Sequence, residues 1–320
     1  MPASYRYFFT GIFMSEDHTT KNRLRTINQK LVVLFLGFIS RLPFWLLYLI
    51  SGFFYFLVEH VINYRSKVID ENLKFSFPDK SSEERLLLRK KFYRHFCDMM
   101  LEAVKLHHIS EKQLQKRLSV KNIEVLEDAC ERNKGVILLA MHHNNWEWGA
   151  AIQRYLKPTI LMVFNRMRNN APMDDFLLKT REQWGGEGVA TVNSLRRVLS
   201  YVKANKPFIL WLAADQSAKE GAHYWTSFLN REAPFFAGPI KLAQKLNQPL
   251  IFQSTRKVGR GKYEIEFDLL IEKPAKVNEG EILRMYVEKM EEIIHDQPEY
   301  YLWSHRRWKH KRPEGVELMV

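Results

Sequence analysis

The chain lacks most of the signatures that announce a common chemistry. It has two cysteines in 320 residues, Cys97 and Cys130, with no metal-type spacing. That excludes a zinc module. Two free buried thiols in a reducing compartment fit this usage, and a single disulfide stays open. No glycine-rich phosphate loop or dinucleotide fingerprint is present, because Gly185-Gly-Glu-Gly188 lacks a strand before it and a helix after it. No Gly-x-Ser-x-Gly elbow appears, so a serine hydrolase is without its usual signal. There is no internal repeat, low-complexity tract or interior linker. Acidic residues are in deficit, 36 against 49 Lys plus Arg, for a net charge of +13. Such an excess suits an anionic membrane surface, nucleic acid or an acidic partner, and charge alone does not choose. Apolar residues at 46% and aromatics at 13% rule out a disordered chain. The length allows one large domain or two modest ones.

What is present begins with a polar opening, in which Met14 is a candidate start and Lys21, Arg23, Arg25 and Lys30 supply positive charge. Leu31 to Val58 is then almost wholly apolar, with Arg41 as its one charge and Pro43 two residues on. The run is too long for a signal peptide and has no small-residue cleavage site. A clean span needs about 20 apolar residues, and Arg41 and Pro43 interrupt this one, so a bent or interfacial anchor is expected over a straight crossing. A buried core helix is the soluble alternative. Basic residues flank both ends, with Arg65 and Lys67 beyond it, so the positive-inside rule gives no orientation.

Residues 64–80 read as a polar connector. Ser81 and Glu84 have capping-box spacing, and the helix they open carries Leu88, Phe92, Phe96, Met99, Ala103 and Leu106 as a core-facing stripe. His107 and His108 close it. Beyond a helix at about 123–132, strands and helices alternate. Strands are predicted at Gly135–Ala140, Thr159–Phe164, Pro207–Ala213, Leu250–Thr255 and Lys262–Ile271. Helices are predicted at Met173–Trp184, Leu195–Ala204, Gly238–Leu246 and Glu281–His295. In Lys262–Ile271, Tyr263, Ile265, Phe267 and Leu269 share one face against Glu264, Glu266 and Asp268, as at a half-buried sheet edge. The pattern predicts an α/β fold, a mostly parallel mixed sheet flanked by helices.

The chain is organised around Ala140-Met-His-His-Asn-Asn-Trp-Glu-Trp-Gly149, which follows a short apolar strand. Asn144 and Asn145 are candidate caps for a helix opening at Trp146. On a continuous helix His142 and Glu147 would splay by about 140°, at about 100° per residue. Across a turn the imidazole can return to the carboxylate, and a His oriented by a carboxylate takes protons from hydroxyls. The plainer alternative is a His closing the strand and a Glu facing water. Adjacent histidines rarely converge on a metal, and the His-Glu-x-x-His spacing is absent. If the strands are parallel, Arg166 and Asp215 leave the sheet at the same edge as His142, where open α/β sheets bind ligands. Arg166 could clamp a phosphate or steady an oxyanion; a solvated loop arginine and a turn aspartate are the alternatives. The tail Trp303-Ser-His-Arg-Arg-Trp-Lys-His-Lys-Arg312 mixes five cations with two tryptophans, which suits a membrane interface or RNA.

With these residues in view, the chain resembles the lipid A biosynthesis late (lauroyl/myristoyl) acyltransferases. The resemblance runs from the apolar anchor to the end. It includes Asn72-Leu-Lys-Phe-Ser-Phe-Pro78, then His142 with Glu147 as the family's His, four residues, acid motif. Arg166, Asn170, Asp174, Arg181 and Asp215 follow, and the tail supplies His305, Arg306 and Arg307. The His-acid motif is shared with many glycerolipid acyltransferases, whereas the ordered set is more specific. Departures include Ala233-Pro-Phe-Phe-Ala237 for a Thr-rich stretch, Arg166-Met167 for Arg-Pro, and His143-Asn144 for Phe-Gly.

The resemblance implies a glycerolipid-acyltransferase-like fold, with a lead-in at 1–30, a membrane anchor at 31–62 and an acyltransferase domain at 63–320. It implies transfer of a fatty acyl chain from acyl carrier protein to a hydroxyl of a lipid A precursor, on the cytoplasmic face of a bacterial inner membrane. His142 and Glu147 are then the catalytic dyad, with Glu147 fixing the imidazole tautomer. Arg166, Asn170, Asp174, Arg181, Asp215, His305, Arg306 and Arg307 are then substrate-binding. No metal, cofactor or nucleic acid is implied. The rival readings are an acyl-CoA-dependent phospholipid or glycolipid acyltransferase, and a non-catalytic membrane-surface lipid or RNA binder.

Overall fold

A computed structural model describes residues 25–167 and 169–319. Most of the expected lead-in lies outside the described residues, and its last six are helical.

The long apolar run folds as two helices. The first, α1, covers residues 25–39, and α2 is Phe44–Phe56, which continues as a wider π turn over Leu57–Ile62. Pro43 sits at the N-cap of α2, the place its missing N–H costs least. The break is pinned to the next long helix, since Lys105 Nζ donates to the carbonyls of Ser40 and Leu42 at 3.0 and 2.9 Å. Phe44–Ile62 is long and apolar enough to cross a membrane by composition. Its inner side, however, makes buried polar bonds, Ser51 Oγ to Asp98 at 2.6 Å and Tyr48 Oη to Glu102 at 3.0 Å. Its outer side leaves Trp45, Leu49 and Phe53 each more than 60% exposed, and α1 does the same with Leu34 and Phe38. The helix is thus held to the domain along one side and leaves one apolar face outward.

The expected connector at 64–80 is instead mostly a helix, α3, Ser66–Ser76, which buries Ile69 and Leu73 completely. These two fall four apart, enough for a core stripe in an otherwise polar sequence. The capping box at Ser81 and Glu84 is formed, and it opens α4, Ser82–Lys105. The chain continues through α5, Glu111–Gln115, to the short strand β1, Leu118–Val120, and α6, Glu124–Asn133.

The sheet elements follow as β2, Gly135–Ala140; β3, Thr159–Phe164; α7, Ala171–Glu182; β4, Glu187–Ala190; α8, Ser194–Lys203; and β5, Phe208–Ala213. A separate hairpin of β6, Trp225–Phe228, and β7, Arg231–Pro234, precedes α9, Gly238–Leu246. The chain ends through β8, Leu250–Gly259, β9, Lys262–Ile271, and α10, Glu279–Asp296. Seven strands form one sheet in the order β1-β9-β8-β2-β5-β3-β4, parallel except for the β8/β9 pair. The fully buried β2 lies at its centre, with core on both faces.

Two details of the sheet differ from the sequence reading. β9 is not an edge, because β1 pairs with it. Leu269 does not face inward but is 45% exposed. A bulge pairs Ile251 with Leu269 and Leu250 with Ile271, so Ile271 takes the buried place. Both cysteines are free and buried, and burial pushes the Cys97 thiol up to about 12 and the Cys130 thiol to about 11.

Candidate active site

β2 and β5 pair in parallel, with Ala140 opposite Ala213. Each chain leaves the sheet at that level, and two residues later come His142 and Asp215. Equal offsets from paired residues bring the side chains together, and His142 Nδ1 lies 2.7 Å from Asp215 Oδ1. The carboxylate accepts, so Nδ1 carries the proton and Nε2 holds the free lone pair. Nε2 is 3.2 Å from the Gln216 amide nitrogen, and both side chains line a cavity of about 980 Å³.

The turn carrying His142 is held from three sides. Asn144 adopts φ 54°, a left-handed conformation that asparagine tolerates. Its backbone N–H donates to the Tyr300 carbonyl, and Leu302 N–H donates to the His142 carbonyl, so the C-terminal segment runs beside the turn. Asn145 does not cap a helix with its side chain, and the following element is a 3-10 helix, Trp146–Tyr155. Instead, Asn145 Nδ2 donates to the buried Glu102 carboxylate at 3.0 Å, and Trp148 Nε1 donates to the Glu102 carbonyl at 3.1 Å. His143 turns away from the cavity into the core. Its Nε2 lies 2.9 Å from the Gln297 carbonyl, and its Nδ1 lies 3.1 Å from Asn144 Nδ2.

Glu147 is in the cavity wall, but it is not the hydrogen-bond partner of His142. Both of its oxygens engage Arg181, from Nε at 3.0 Å and Nη2 at 2.7 Å, a two-pronged clamp. Trp146 Nε1 adds a bond to Glu147 Oε1 at 3.3 Å, and the Trp146 ring sets its edge against His142 with centroids 4.9 Å apart. The expected tautomer-fixing contact from Glu147 therefore falls to Asp215, because a strand-end partner meets the ring squarely whereas Glu147 has already turned toward α7.

These contacts set the charges. Burial opposes protonation of His142, but Asp215, by charge and hydrogen bond, and then Glu147 raise its pKa above the ordinary value. Burial likewise opposes ionisation of Asp215 and Glu147. The His142 side holds Asp215 low, with a lesser contribution from Arg307, and Arg181 holds Glu147 low. Both carboxylates are anions beside a strengthened base.

The remaining predicted residues divide. Asp174 and Arg181 line the cavity. Asp174 also braces the loop after β3, accepting the Met167 N–H at 2.8 Å, and Asn170 caps α7 by accepting from Met173 N–H at 3.3 Å. The Arg166 side chain is 69% exposed and only loosely paired with Asp174 at 3.9 Å, while its neighbours Asn165 and Met167 line the cavity. The tail's tryptophans and Arg307 pack inward, while Arg306, Lys309 and Lys311 stay exposed. Trp303 and Arg307 are fully buried, and Trp308 stacks on Phe228. Arg307 lies over Phe235 at 4.3 Å, and none of its three guanidinium nitrogens has a hydrogen-bond partner. His305 is half-buried, with its pKa pushed down to about 4 by burial, and Arg306 is exposed. Sequence reasoning missed Gln216, although it directly follows Asp215, and the exposed cavity lysines Lys219, Lys241 and Lys245. Among the described residues, no group of three or more His, Cys, Asp or Glu could hold a metal ion.

A buried Asp paired with a His whose other ring nitrogen opens on a largely apolar cavity, at a sheet's carboxyl edge, is equipped for proton abstraction. Residues 16–310 match the profile of the bacterial lipid A biosynthesis acyltransferases. The chain belongs to that family. It is an acyltransferase, as the resemblance implied. The lipid A biosynthesis palmitoleoyltransferase of Escherichia coli K12 is 25% identical over 263 residues, covering 78% of this chain and 80% of that protein. The lipid A biosynthesis lauroyltransferase of the same organism is 23% identical over 287 residues, covering 88% and 90%. A Haemophilus influenzae lipid A biosynthesis acyltransferase is 23% identical over 274 residues, covering 85% and 84%.

Proposed function

We propose that this acyltransferase moves a fatty acyl group from the thioester of an acyl carrier protein onto a hydroxyl of a lipid A precursor, with His142 as general base. The observation that carries the reading is the 2.7 Å bond from His142 to Asp215, which leaves Nε2 as the basic nitrogen in the cavity. The acceptor hydroxyl gives its proton to Nε2 as its oxygen bonds to the thioester carbonyl carbon. Asp215 keeps the tautomer, and its charge stabilises the imidazolium that forms. Glu147, itself clamped by Arg181, adds a second negative charge at longer range. When the tetrahedral intermediate collapses, the thiolate leaves and takes the proton back from His142. The enzyme forms no covalent intermediate in this scheme.

The cavity, about 980 Å³, lies at the upper end of the usual range for ligand sites, about 300–1,000 Å³. Its wall includes Met162, Leu177, Leu195, Leu210, Phe236 and Leu242, which suit an acyl chain. Lys219, Lys241 and Lys245, with the net charge of +13, suit an acidic carrier and a phosphorylated acceptor. The exposed apolar faces of α1 and α2 support seating on a membrane, which for a lipid A precursor and a soluble carrier is the cytoplasmic face of the inner membrane.

The test is acyl transfer by purified protein from acyl carrier protein, and in parallel from acyl-CoA, to a lipid A precursor, read by mass spectrometry. The expected product is the ester, formed faster from the carrier, and abolished in His142→Ala. Ester formation only from acyl-CoA would replace the donor, and a fully active His142→Ala would remove the base.

A further inference from the structure

Abstracting a proton is half of acyl transfer; the negative charge that develops on the carbonyl oxygen also needs a donor. None of the arginines named from the sequence is placed for this. Arg166 is largely exposed, and Arg181 has both Nε and Nη2 on Glu147. Arg307 is sealed among Phe228, Phe235 and the Asp215 side of the base.

We propose that Gln216 is the oxyanion donor, on the reading above that His142 is the base. Its amide nitrogen stands 3.2 Å from His142 Nε2, the atom the acceptor hydroxyl must approach, and Gln216 lines the same cavity. With Nδ1–H given to Asp215, Nε2 is an acceptor, so in the resting site the Gln216 N–H donates to it. An arriving hydroxyl takes that place. The displaced amide is then one hydrogen-bond length from the reacting oxygen and its N–H group faces the adjoining thioester carbonyl. As the O–H bond breaks, the proton goes to Nε2, the C–O bond forms, and the carbonyl π pair moves onto oxygen, where the amide donates. Collapse restores the carbonyl and expels the thiolate, which leaves as thiol with the His142 proton. The position of Gln216 follows from its sequence neighbour, since the loop that delivers Asp215 to Nδ1 carries the next residue around to the other nitrogen.

The same contact gives a readout that a packing role would not. Donation to the lone pair favours the neutral imidazole, so its removal moves the acid limb of kcat/KM to higher pH. Gln216→Ala is expected to lower kcat about 10²- to 10³-fold, the usual cost of one oxyanion donor, with KM for both substrates little changed. A phosphonate mimic of the tetrahedral intermediate should bind correspondingly less tightly, while the ester product binds as before. Gln216→Glu keeps the side-chain shape, replaces the N–H donor with a carboxylate, and should lose at least as much. A folded Gln216→Glu with full kcat overturns the proposal; so does Gln216→Ala with unchanged or raised kcat, which would make the amide only a cap on the base. If either result comes with an inactive His142→Ala, the base assignment stands and the oxyanion role alone fails. An active His142→Ala removes both.

Discussion

His142 and Asp215 face one another because they are 73 residues apart, the same offset that pairs Ala140 with Ala213 along β2 and β5. Strand register, not loop design, makes this contact. Its energetics are those of a buried pair: each partner alone would be costly in its charged form, and each holds the other's charge in place.

The pair should therefore act as a unit. His142→Ala is expected to lower kcat about 10²- to 10⁴-fold, the usual contribution of a general base. Asp215→Asn should lose a similar amount, and the double variant little more than either. Steady-state rates on the three proteins check this, and penalties that multiply would mean the two residues work separately.

The pH dependence follows from the direction of the shift. The proposed base works as the neutral ring, and the pKa of His142 lies above the ordinary value, so kcat/KM should rise with pH through an apparent pKa above about 6.5. Asp215→Asn removes the largest influence holding that pKa up. Its acid limb should move to lower pH even as the plateau drops.

Glu147 and Arg181 offer a cleaner test of charge than of chemistry. Breaking a mostly buried pair from one side costs about 3 kcal/mol, the low end of the range, because the side chains keep 17% and 20% exposure. Glu147→Gln should thus lower the urea midpoint more than the Glu147→Gln/Arg181→Gln double variant does. If the double variant is the less stable of the two, the clamp is not what holds α7 against the 3-10 helix.

His143 gives a stability signal without a catalytic one. Its two ring nitrogens meet a carbonyl and an amide N–H, partners that fit the neutral ring alone, and burial takes its pKa down to about 4. The unfolded chain gains a proton near pH 6.5 and the folded one only near pH 4. Stability should be full above the first value and fall by about 3 kcal/mol toward the second. His143→Gln should be less stable at neutral pH and show a flatter acid decline in thermal melts.

The apolar faces of α1 and α2 predict where the protein sits. Leu34→Ser, Phe38→Ser, Leu49→Ser and Phe53→Ser together change residues that are each more than 60% exposed, so folding should survive. Sedimentation with anionic vesicles should be lost. Retention of the quadruple variant on vesicles, insensitive to salt, would assign the contact to another face.

Much of this was legible because it is periodic or local. Thr159–Phe164 and Gly238–Leu246 have the bounds their patterns predict, and the Ser81–Glu84 cap forms as spaced. β1 and β4, at three and four residues, are too short to carry a period, and α3 was hidden in charge. The site was harder. Its members could be named one by one, but Glu147 looked like the partner of His142 because it is near in sequence, whereas Asp215 becomes near only through strand order. The tail misleads in another way: its tryptophans and Arg307 match a membrane strip in composition, and only packing shows Trp303 and Arg307 buried and Trp308 stacked on Phe228.

Glu102 ties three parts of the domain together beside the candidate base. Its carboxylate takes bonds from Tyr48 on α2, Tyr263 on β9 and Asn145 in the turn beside His142. The greasy outer face and the basic nitrogen are thereby parts of one solid piece, with a single carboxylate between them. If that face floats in a bilayer, the nitrogen rides at a fixed height above it. Which hydroxyl of an embedded acceptor meets the base then becomes a question of altitude.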